Sequence, residues 1–135
     1  MLNILIVDDD VCLSFILSQY LSAAGYSCTV VENVAKARTH LHLTRFDLVI
    51  SDVNMPGESG FELLRHVSTR HPETSLLLMS AMDDVRNKQR ATQMGARGYL
   101  VKPFKLGELR NQISTIIAKQ DVCRHNSENG QSLPA

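Results

Sequence analysis

Five short apolar stretches, each followed by a segment with helical periodicity, constrain the fold of this chain more than any other feature. The stretch Leu48–Asp52 is hydrophobic without interruption until it ends in a serine and an aspartate. Continuous apolar runs are typical of strands that are buried on both faces of a parallel sheet. The sequence predicts the other four strands at Asn3–Val7, Ser27–Val31, residues 76–79 and Gly98–Val101.

Strands and helices that alternate in repeats of roughly 20 to 25 residues predict a parallel sheet with helices on both faces. The stretch Ser27–Val31 is more polar than the others, as expected of an edge strand. The predicted fold class is therefore α/β, a flavodoxin-like (βα)5 doubly wound sheet with strand order 2-1-3-4-5. We expect one domain over residues 1–119. The polar, aperiodic residues 120–135 are expected to be a disordered tail or the start of a linker to an absent output domain.

The helices are predicted from apolar residues at helical spacing and from residues typical of helix ends. Gly25 should end the first helix, Asn33 should cap the second, and Ser59 with Glu62 has the spacing of a capping box. The fourth helix, at about residues 83–94, has few apolar residues and should be the least firmly packed. The residues expected to face the core are Leu13, Ile16, Leu17, Tyr20, Leu21, Ala24, Val34, Ala37, Leu41, Phe61, Leu64, Val67, Val85, Ala91, Met94, Leu106, Leu109, Ile113 and either Ile116 or Ile117.

Composition excludes several classes of protein. The 135 residues contain 14 basic and 14 acidic side chains and 44% hydrophobic residues, which indicates a soluble globular protein without a general attraction to nucleic acids or membranes. No apolar run is long enough to span a bilayer, and the N-terminal run lacks the basic start of a signal peptide. The cysteines Cys12, Cys28 and Cys123 form no CxxC pair, which favours reduced thiols and a cytoplasmic location.

Polar side chains follow four of the five predicted strands. Asp8 and Asp9 follow the first strand, Asp52 ends the third, Ser80 follows the fourth and Lys102 follows the fifth. Each residue alone has an ordinary structural explanation, such as helix capping or a simple ion pair. Because the carboxyl ends of parallel strands meet at one edge of the sheet, their shared position predicts a functional site.

The residue types at this edge indicate phosphoryl transfer. Three carboxylates in one place repel each other, and Mg²⁺ or Mn²⁺ bound through oxygen ligands would relieve that repulsion. A carboxylate such as Asp52 can also act as a nucleophile that forms an aspartyl phosphate. Lys102 and Ser80 would then supply positive charge and a hydrogen-bond donor to the phosphoryl oxygens.

The same pattern resembles the receiver domain of two-component response regulators, of which the chemotaxis regulators are an example, over about residues 2–119. The motifs that carry the resemblance are Leu5-Ile6-Val7-Asp8-Asp9-Asp10, Asp52 with Pro56-Gly57 and Gly60, Ser80-Ala81, Gly95-Ala96, Tyr99, and Lys102-Pro103-Phe104. The resemblance implies a phosphorelay protein that accepts a phosphoryl group from a histidine kinase or phosphotransfer protein. It implies self-phosphorylation and autodephosphorylation only, not a turnover enzyme.

The resemblance also implies residue roles at the acidic edge. Asp52 would be the phosphoacceptor, and Asp9, Asp52 and the backbone carbonyl of Asn54 would bind the metal directly. Asp8 would bind it through water, and Lys102 would pair with the phosphoryl group.

A second set of implied roles concerns signalling. Ser80 and Tyr99 would be the switch residues, and the Lys102-Pro103 peptide would be cis. Helix 4, strand 5 and helix 5 would form the face that contacts a partner, an output domain or a second copy of the chain, and this face would include Arg86 and Arg90. No basic recognition helix is present, so we expect no contact with nucleic acid by this chain alone.

Differences from the family pattern concern the last helix and the surroundings of the site. The last helix opens on Lys105-Leu106-Gly107, where many relatives have a better cap, so its first turn is expected to be loose. Met82 and Asn54 occupy positions that modulate phosphoryl lifetime in the family.

Two other functions fit parts of the sequence. In a haloacid-dehalogenase-like phosphatase, Asp8 would be the nucleophile, but Asp83-Asp84 precedes Lys102 instead of following it and Asp52 would have no role. In a flavin-binding module the loop after the first strand would bind phosphate, and an acidic loop disfavours that. His40 and His42 are two positions apart on a predicted helix, so they face different directions and do not indicate a metal site.

Overall fold

The central sheet has five parallel strands in the order 2-1-3-4-5, which confirms the predicted fold class. The structure is a computed structural model that describes residues 2–81 and 85–128, with side chains through residue 120. The strands are β1 (Asn3–Val7), β2 (Ser27–Val31), β3 (Leu48–Asp52), β4 (Ser75–Ser80) and β5 (Gly98–Val101).

Helices follow the strands and cover both faces of the sheet. They are α1 (Val11–Ala23), α2 (Val34–Leu43), α3 (Gly60–Arg70), α4 (Val85–Gln93) and α5 (Leu106–Glu128). Buried residues of α1 and α5 pack with one side of the strands, and buried residues of α2, α3 and α4 pack with the other. No helix in the described part of the chain is both long and apolar enough to cross a membrane.

The central strands β3 and β4 carry consecutive apolar residues because each strand contributes to two cores. Leu77 and Leu78 are neighbours on β4, yet Leu77 packs in the core under α1 and α5, and Leu78 packs in the core under α2, α3 and α4. Both side chains are fully buried. Successive side chains on a strand point to opposite faces, so a sheet covered on both sides requires apolar residues at consecutive positions.

Most predicted helix ends are confirmed, but the capping box is not. The Asn33 side chain accepts a hydrogen bond from the Lys36 N–H at 2.8 Å, and Gly25 follows α1 with a φ of 100°. Ser59 is the N-cap of α3, but its side chain makes no capping bond. Its backbone carbonyl instead accepts from the Glu62 N–H at 3.1 Å, so the backbone alone satisfies the first turn.

Two residues expected in the core are at the surface. Ile16 on α1 is 50% exposed and Val85 on α4 is 68% exposed. The buried face of α1 is narrower than its apolar stripe, because only Ser14, Leu17 and Leu21 on this helix are fully covered. Helix α4 buries a single residue, Ala91, which agrees with the prediction that it packs least firmly.

The last helix is longer than expected, continuing to Glu128 and so past residue 119. The Gln120 side chain is buried against the amino edge of the sheet, where its Nε2 donates to the Asp47 carbonyl at 2.8 Å and to the Ser75 hydroxyl. Because glutamine is polar, the sequence pattern of buried apolar residues does not indicate that the Gln120 side chain is buried. Residues 120–128 are therefore helical, residues 129–135 lie outside the described part, and the role of residues 120–135 as a tail or linker stays a prediction.

The thiols that the structure describes are free. Cys12 is exposed and Cys28 is half-buried, and neither forms a disulfide. Burial raises the pKa of the Cys28 thiol, which keeps it protonated near neutral pH. The side chain of Cys123 lies outside the described residues.

Gly60 provides a test of the packing between α3 and β3. A Cβ atom at Gly60 would lie 2.4 Å from the Asp52 carbonyl oxygen and 3.0 Å from the Val53 Cα, both backbone atoms that cannot rotate away. We expect Gly60→Ala to lower the free energy of unfolding by roughly 1–3 kcal/mol, as overpacking does, measured by urea denaturation.

Gly107→Ala is the matched control. Nothing lies within 4 Å of a Cβ at Gly107, which is also helical. This substitution should be neutral or stabilise the protein by up to about 1 kcal/mol through helix propensity. Equal destabilisation by both substitutions would contradict the close approach at Gly60.

Candidate phosphoacceptor site

The carboxyl ends of four strands bring the predicted site residues to one edge of the sheet. Asp8, Asp52 and Ser80 are buried there, whereas Asp9 is exposed. One carboxylate oxygen from each of the three aspartates lies within 4.8 Å of the others. The Lys102 N–H donates to the Ser80 carbonyl at 2.7 Å, which holds the end of β5 beside the end of β4.

Lys102 lies between two of the carboxylates. Its Nζ is 3.3 Å from Asp8 Oδ2 and 3.3 Å from Asp52 Oδ1. The lysine is half-buried, so both ion pairs are less screened by water than pairs on the open surface. The Lys102-Pro103 peptide is cis, as the resemblance implied.

The three consecutive aspartates after β1 have different structural roles. Asp8 points inward, and its Oδ1 accepts a hydrogen bond from the Asp10 N–H at 3.0 Å. Asp10 caps α1 by accepting from the Leu13 N–H at 3.1 Å. This leaves Asp9 as the exposed carboxylate that completes the acidic cluster.

Ser14 is a site residue that the sequence reasoning missed. It is buried on α1, and its hydroxyl donates to the Asp8 carbonyl at 3.4 Å, which ties the acidic turn to the helix. Its position three residues before Leu17 and seven before Leu21, both buried, was the available signal. A small polar residue on an apolar stripe near a helix start indicates a contact with the preceding turn.

The surroundings of Asp52 disfavour its negative charge. Burial raises the pKa of Asp52 above its ordinary value of 3.8, and the charges of Asp8 and Asp9 raise it further. The Lys102 ammonium acts in the opposite direction and offsets only part of this cost. The site therefore has an excess of negative charge that a cation would relieve.

The residues present fit a hard divalent cation. Octahedral oxygen ligands of Mg²⁺ at about 2.1 Å lie at most about 4.2 Å apart, close to the spread of the three carboxylate oxygens in this cluster. An oxygen-only donor set also suits Mg²⁺ or Mn²⁺ better than the softer metals. Asp9 and Asp52, with Asp8 beside them, are the residues that would hold the ion. Asn54 is exposed two residues after the end of β3, and the ligand role of its carbonyl stays a prediction.

Tyr99 and Arg90 take positions that bear on the predicted switch. The Tyr99 side chain is buried at 9% exposure, and its backbone carbonyl accepts from Gln112 Nε2 at 3.2 Å. Arg90 was expected on the partner face of α4 and β5. Its guanidinium instead lies 4.3 Å from the centre of the Phe61 ring on α3, because an aromatic face attracts the cation. Met82 and Asp83-Asp84 lie outside the described residues.

Asp8 and Asp52 differ in how many of their carboxylate oxygens are already engaged. Both oxygens of Asp8 are engaged, one by the Asp10 N–H and one by Lys102. Within the described part of the chain, Asp52 is held by Lys102 through Oδ1, which leaves Oδ2 for an incoming group. Attack by Asp8 would require it to give up either its hydrogen bond from the Asp10 N–H or its ion pair with Lys102. Attack by Asp52 through Oδ2 would leave its ion pair with Lys102 intact.

Comparison with known proteins gives a consistent result. Residues 4–114 match the family model described as the response regulator receiver domain. The chain is 38% identical over 103 residues to the DNA-binding transcriptional regulator NtrC of Escherichia coli K12, an alignment that covers 76% of this chain. The chain spans only 22% of the length of that relative.

Solved structures share the fold. The chemotaxis protein CheY4 of Vibrio cholerae superimposes with a TM-score of 0.81 and 32% identity, covering 86% of this chain and 98% of that one. The response regulator TrrA of Thermotoga maritima, solved in complex with Mg²⁺-BeF, gives a TM-score of 0.78 and 29% identity, with 86% of this chain and 99% of that one covered.

Burial of Asp52 makes a prediction for the metal-free protein. Its folded-state pKa is raised, so the folded protein holds the Asp52 proton more tightly than the unfolded chain does. Stability therefore falls as pH rises from the unfolded pKa through the folded pKa. In EDTA at pH 7, Asp52→Asn should raise the melting temperature, and the gain should disappear as pH falls below about 4, where the aspartate becomes protonated in the unfolded chain as well.

Asp10→Asn is the control for this experiment, since asparagine caps a helix as well as aspartate does. It should leave the melting temperature at pH 7 nearly unchanged. A lower melting temperature for Asp52→Asn at pH 7 would mean that the attraction of Lys102 outweighs the cost of burial.

Proposed function

The chain belongs to the family of response regulator receiver domains, and we propose that it is a switch that is phosphorylated on Asp52 in two-component signalling. The observation that carries this proposal is the position of Asp52 at the end of β3, buried, with one oxygen held by Lys102. The donor would be a histidine kinase or phosphotransfer protein. We propose that the chain takes part in its own phosphorylation and dephosphorylation but does not turn over a substrate.

The proposed chemistry begins with the Asp52 carboxylate attacking the phosphorus of the donor. The bond from phosphorus to the donor nitrogen or oxygen breaks, and the donor leaves with its electron pair. Lys102 is already placed to stabilise negative charge beside Asp52 and would pair with the new phosphoryl oxygens. The Ser80 hydroxyl on the adjacent strand end would donate a hydrogen bond to them.

A divalent cation would complete the site. Asp8, Asp9, Asp52 and the Asn54 carbonyl would hold Mg²⁺ or Mn²⁺, which supplies charge neutralisation between the carboxylates and the phosphoryl group. Magnesium bound together with beryllium fluoride in TrrA of Thermotoga maritima supports this proposal.

A surface for the phosphodonor lies beside the site. Val11 and Phe15 on α1 are 76% and 64% exposed, and they line a groove that reaches Asp8. Exposed large apolar side chains that form a patch are typical of protein interfaces. This patch supports a protein donor that docks over α1.

Phosphorylation would be transmitted through α4, the helix with the fewest buried residues. A phosphoryl group adds roughly −1.5 to −2 charge, which attracts Lys102 and Ser80. A small difference in contacts then shifts a two-state population. We propose that Tyr99 and the face formed by α4, β5 and α5 carry the change to a partner, an output domain or a second copy.

The wider cellular role is part of the same proposal. The relative NtrC of Escherichia coli K12, a DNA-binding transcriptional regulator, is several times longer than this chain. We propose a cytoplasmic protein in which any contact with DNA is made by another domain or another protein.

Labelling with acetyl phosphate tests the phosphoacceptor. In Mg²⁺, Asp52→Asn should abolish the acid-stable, hydroxylamine-labile mass increase of one phosphoryl group, measured by intact-protein mass spectrometry. Asp10→Asn, which keeps its capping role, should label as the unsubstituted protein does. Labelling that survives Asp52→Asn but is lost in Asp8→Asn would sink the receiver mechanism in favour of an Asp8 nucleophile.

Beryllium fluoride tests the switch. With Mg²⁺ and beryllium fluoride, backbone amide shifts should change at the site and also at Tyr99 and along α4, as measured by two-dimensional NMR. Asp52→Asn should show none of these changes. Shifts confined to the carboxyl edge of the sheet would show that the phosphoryl mimic binds without moving the signalling face.

A further inference from the structure

Three arginines from three different helices converge on one groove away from the acidic site. Arg38 of α2, Arg65 of α3 and Arg90 of α4 line a groove of about 420 Å³. Phe61 and Met94 supply its apolar lining. A second cavity of about 400 Å³ shares Arg65, Arg90 and Met94 and extends the groove between α3 and α4; its remaining lining residues are Ser68, Thr69 and Gln93.

The positive charges in this groove are only partly neutralised. Arg38 forms an ion pair with Glu58, which raises the pKa of the arginine. Across residues 2–81 and 85–120, no carboxylate lies within ion-pair distance of Arg65 or Arg90. Glu62 is the one acidic residue in the described lining and Glu58 pairs with Arg38, so three arginines face two glutamates and an excess of one positive charge remains.

Arg90 is held in place before any ligand arrives. Its guanidinium stacks 4.3 Å from the centre of the Phe61 ring. A stacked guanidinium keeps its N–H donors at the edge of its plane, where a carboxylate can accept two of them at once. An arginine without such a contact would lose more side-chain entropy on binding a ligand than Arg90 would.

We propose that the groove between α3 and α4 binds an acidic segment of a partner protein. Carboxylates of that segment would pair with Arg65 and Arg90, and one of its apolar side chains would pack against Met94. Two adjoining cavities along one interhelical line suit an extended segment better than a single small anion. Glu58 and Glu62 at the groove, together with the zero net charge of the chain, disfavour nucleic acid.

The groove is connected to the phosphoacceptor through α3. The Gly60 N–H donates to the carbonyl of Val53 at 2.9 Å, and Val53 is the residue directly after Asp52. Phe61, which lines the groove, directly follows Gly60. The other wall is α4, which is joined to α3 by the Arg90 stack and by the Ser68 hydroxyl, which donates to the Met94 carbonyl at 2.9 Å. Docking of a segment at the groove does not depend on the proposed function. The coupling of that docking to Asp52 rests on the proposed function.

The experiment uses the full chain and a defined peptide. An eight-residue peptide of alternating glutamate and leucine is titrated into ¹⁵N-labelled protein, and a matched peptide of glutamine and leucine is titrated separately. We expect amide shifts along α3 and α4 at the groove, and at least about tenfold weaker binding of the uncharged peptide. Binding of both peptides with equal affinity, or shifts elsewhere only, would overturn the proposal.

Two charge-matched variants identify the arginines. Arg65→Glu with Arg90→Glu should weaken peptide binding at least about tenfold, whereas Arg97→Glu with Arg110→Glu, at exposed positions outside the groove, should weaken it by less than about twofold. Equal loss in both would mean attraction by net charge alone and would overturn the proposal. Arg65→Gln, which removes no ion pair within the described residues, should still weaken binding if the double variant proves unstable.

Two further experiments test whether the groove prefers nucleic acid and whether peptide binding is coupled to Asp52. A twelve-base-pair DNA duplex that displaces the peptide from the groove and binds more tightly would overturn the protein-segment assignment. Repeating the titration with Mg²⁺ and beryllium fluoride should change peptide affinity, and unchanged affinity would overturn the coupling alone. Failure of beryllium fluoride to bind would count against the proposed function and leave the docking result intact.

Discussion

The contact of one ammonium with two buried carboxylates organises the carboxyl edge of this molecule. Lys102 lies 3.3 Å from both Asp8 and Asp52, so it joins the ends of β1, β3 and β5 at one point. Burial of carboxylates without a partner would cost several kcal/mol. Since a single positive charge faces three carboxylates, the site is held together and yet remains electrostatically incomplete. That imbalance is the physical reason for which we propose cation binding and a reactive Asp52.

The same edge is connected to the rest of the fold by close backbone packing. A Cβ at Gly60 would lie 2.4 Å from the Asp52 carbonyl, so α3 starts against the strand that carries Asp52. Phe61 follows and contacts Arg90 of α4. Helix α4 buries only Ala91, so a few contacts such as this one determine its position. A change at Asp52 thus has a short path to the least firmly packed helix.

Sequence patterns predicted most of the fold and the members of the site. Apolar runs identified four of the strands, the more polar Ser27–Val31 was recognised as an edge strand, and the polar residues at the ends of those four strands identified the shared edge. The errors occurred where burial depends on neighbours. Ile16 belongs to the apolar stripe of α1 but lies beyond the strip of that helix that the sheet and α5 cover. Gln120 looked like the start of an irregular tail, but the amino edge of the sheet presents a carbonyl and a hydroxyl to its amide.

By itself the sequence determined the alternation of strands and helices, the strand order and the three residue types at the carboxyl edge, because these depend on periodicity and on direction along the chain. Only the tertiary structure decided how the charges pair. Asp8, Asp9 and Asp10 are identical and adjacent, yet one is buried against Lys102, one is exposed in the acidic cluster and one caps α1. Likewise, three arginines that are far apart in the sequence meet in one groove. Such pairings depend on distances between elements, and no local pattern encodes those distances.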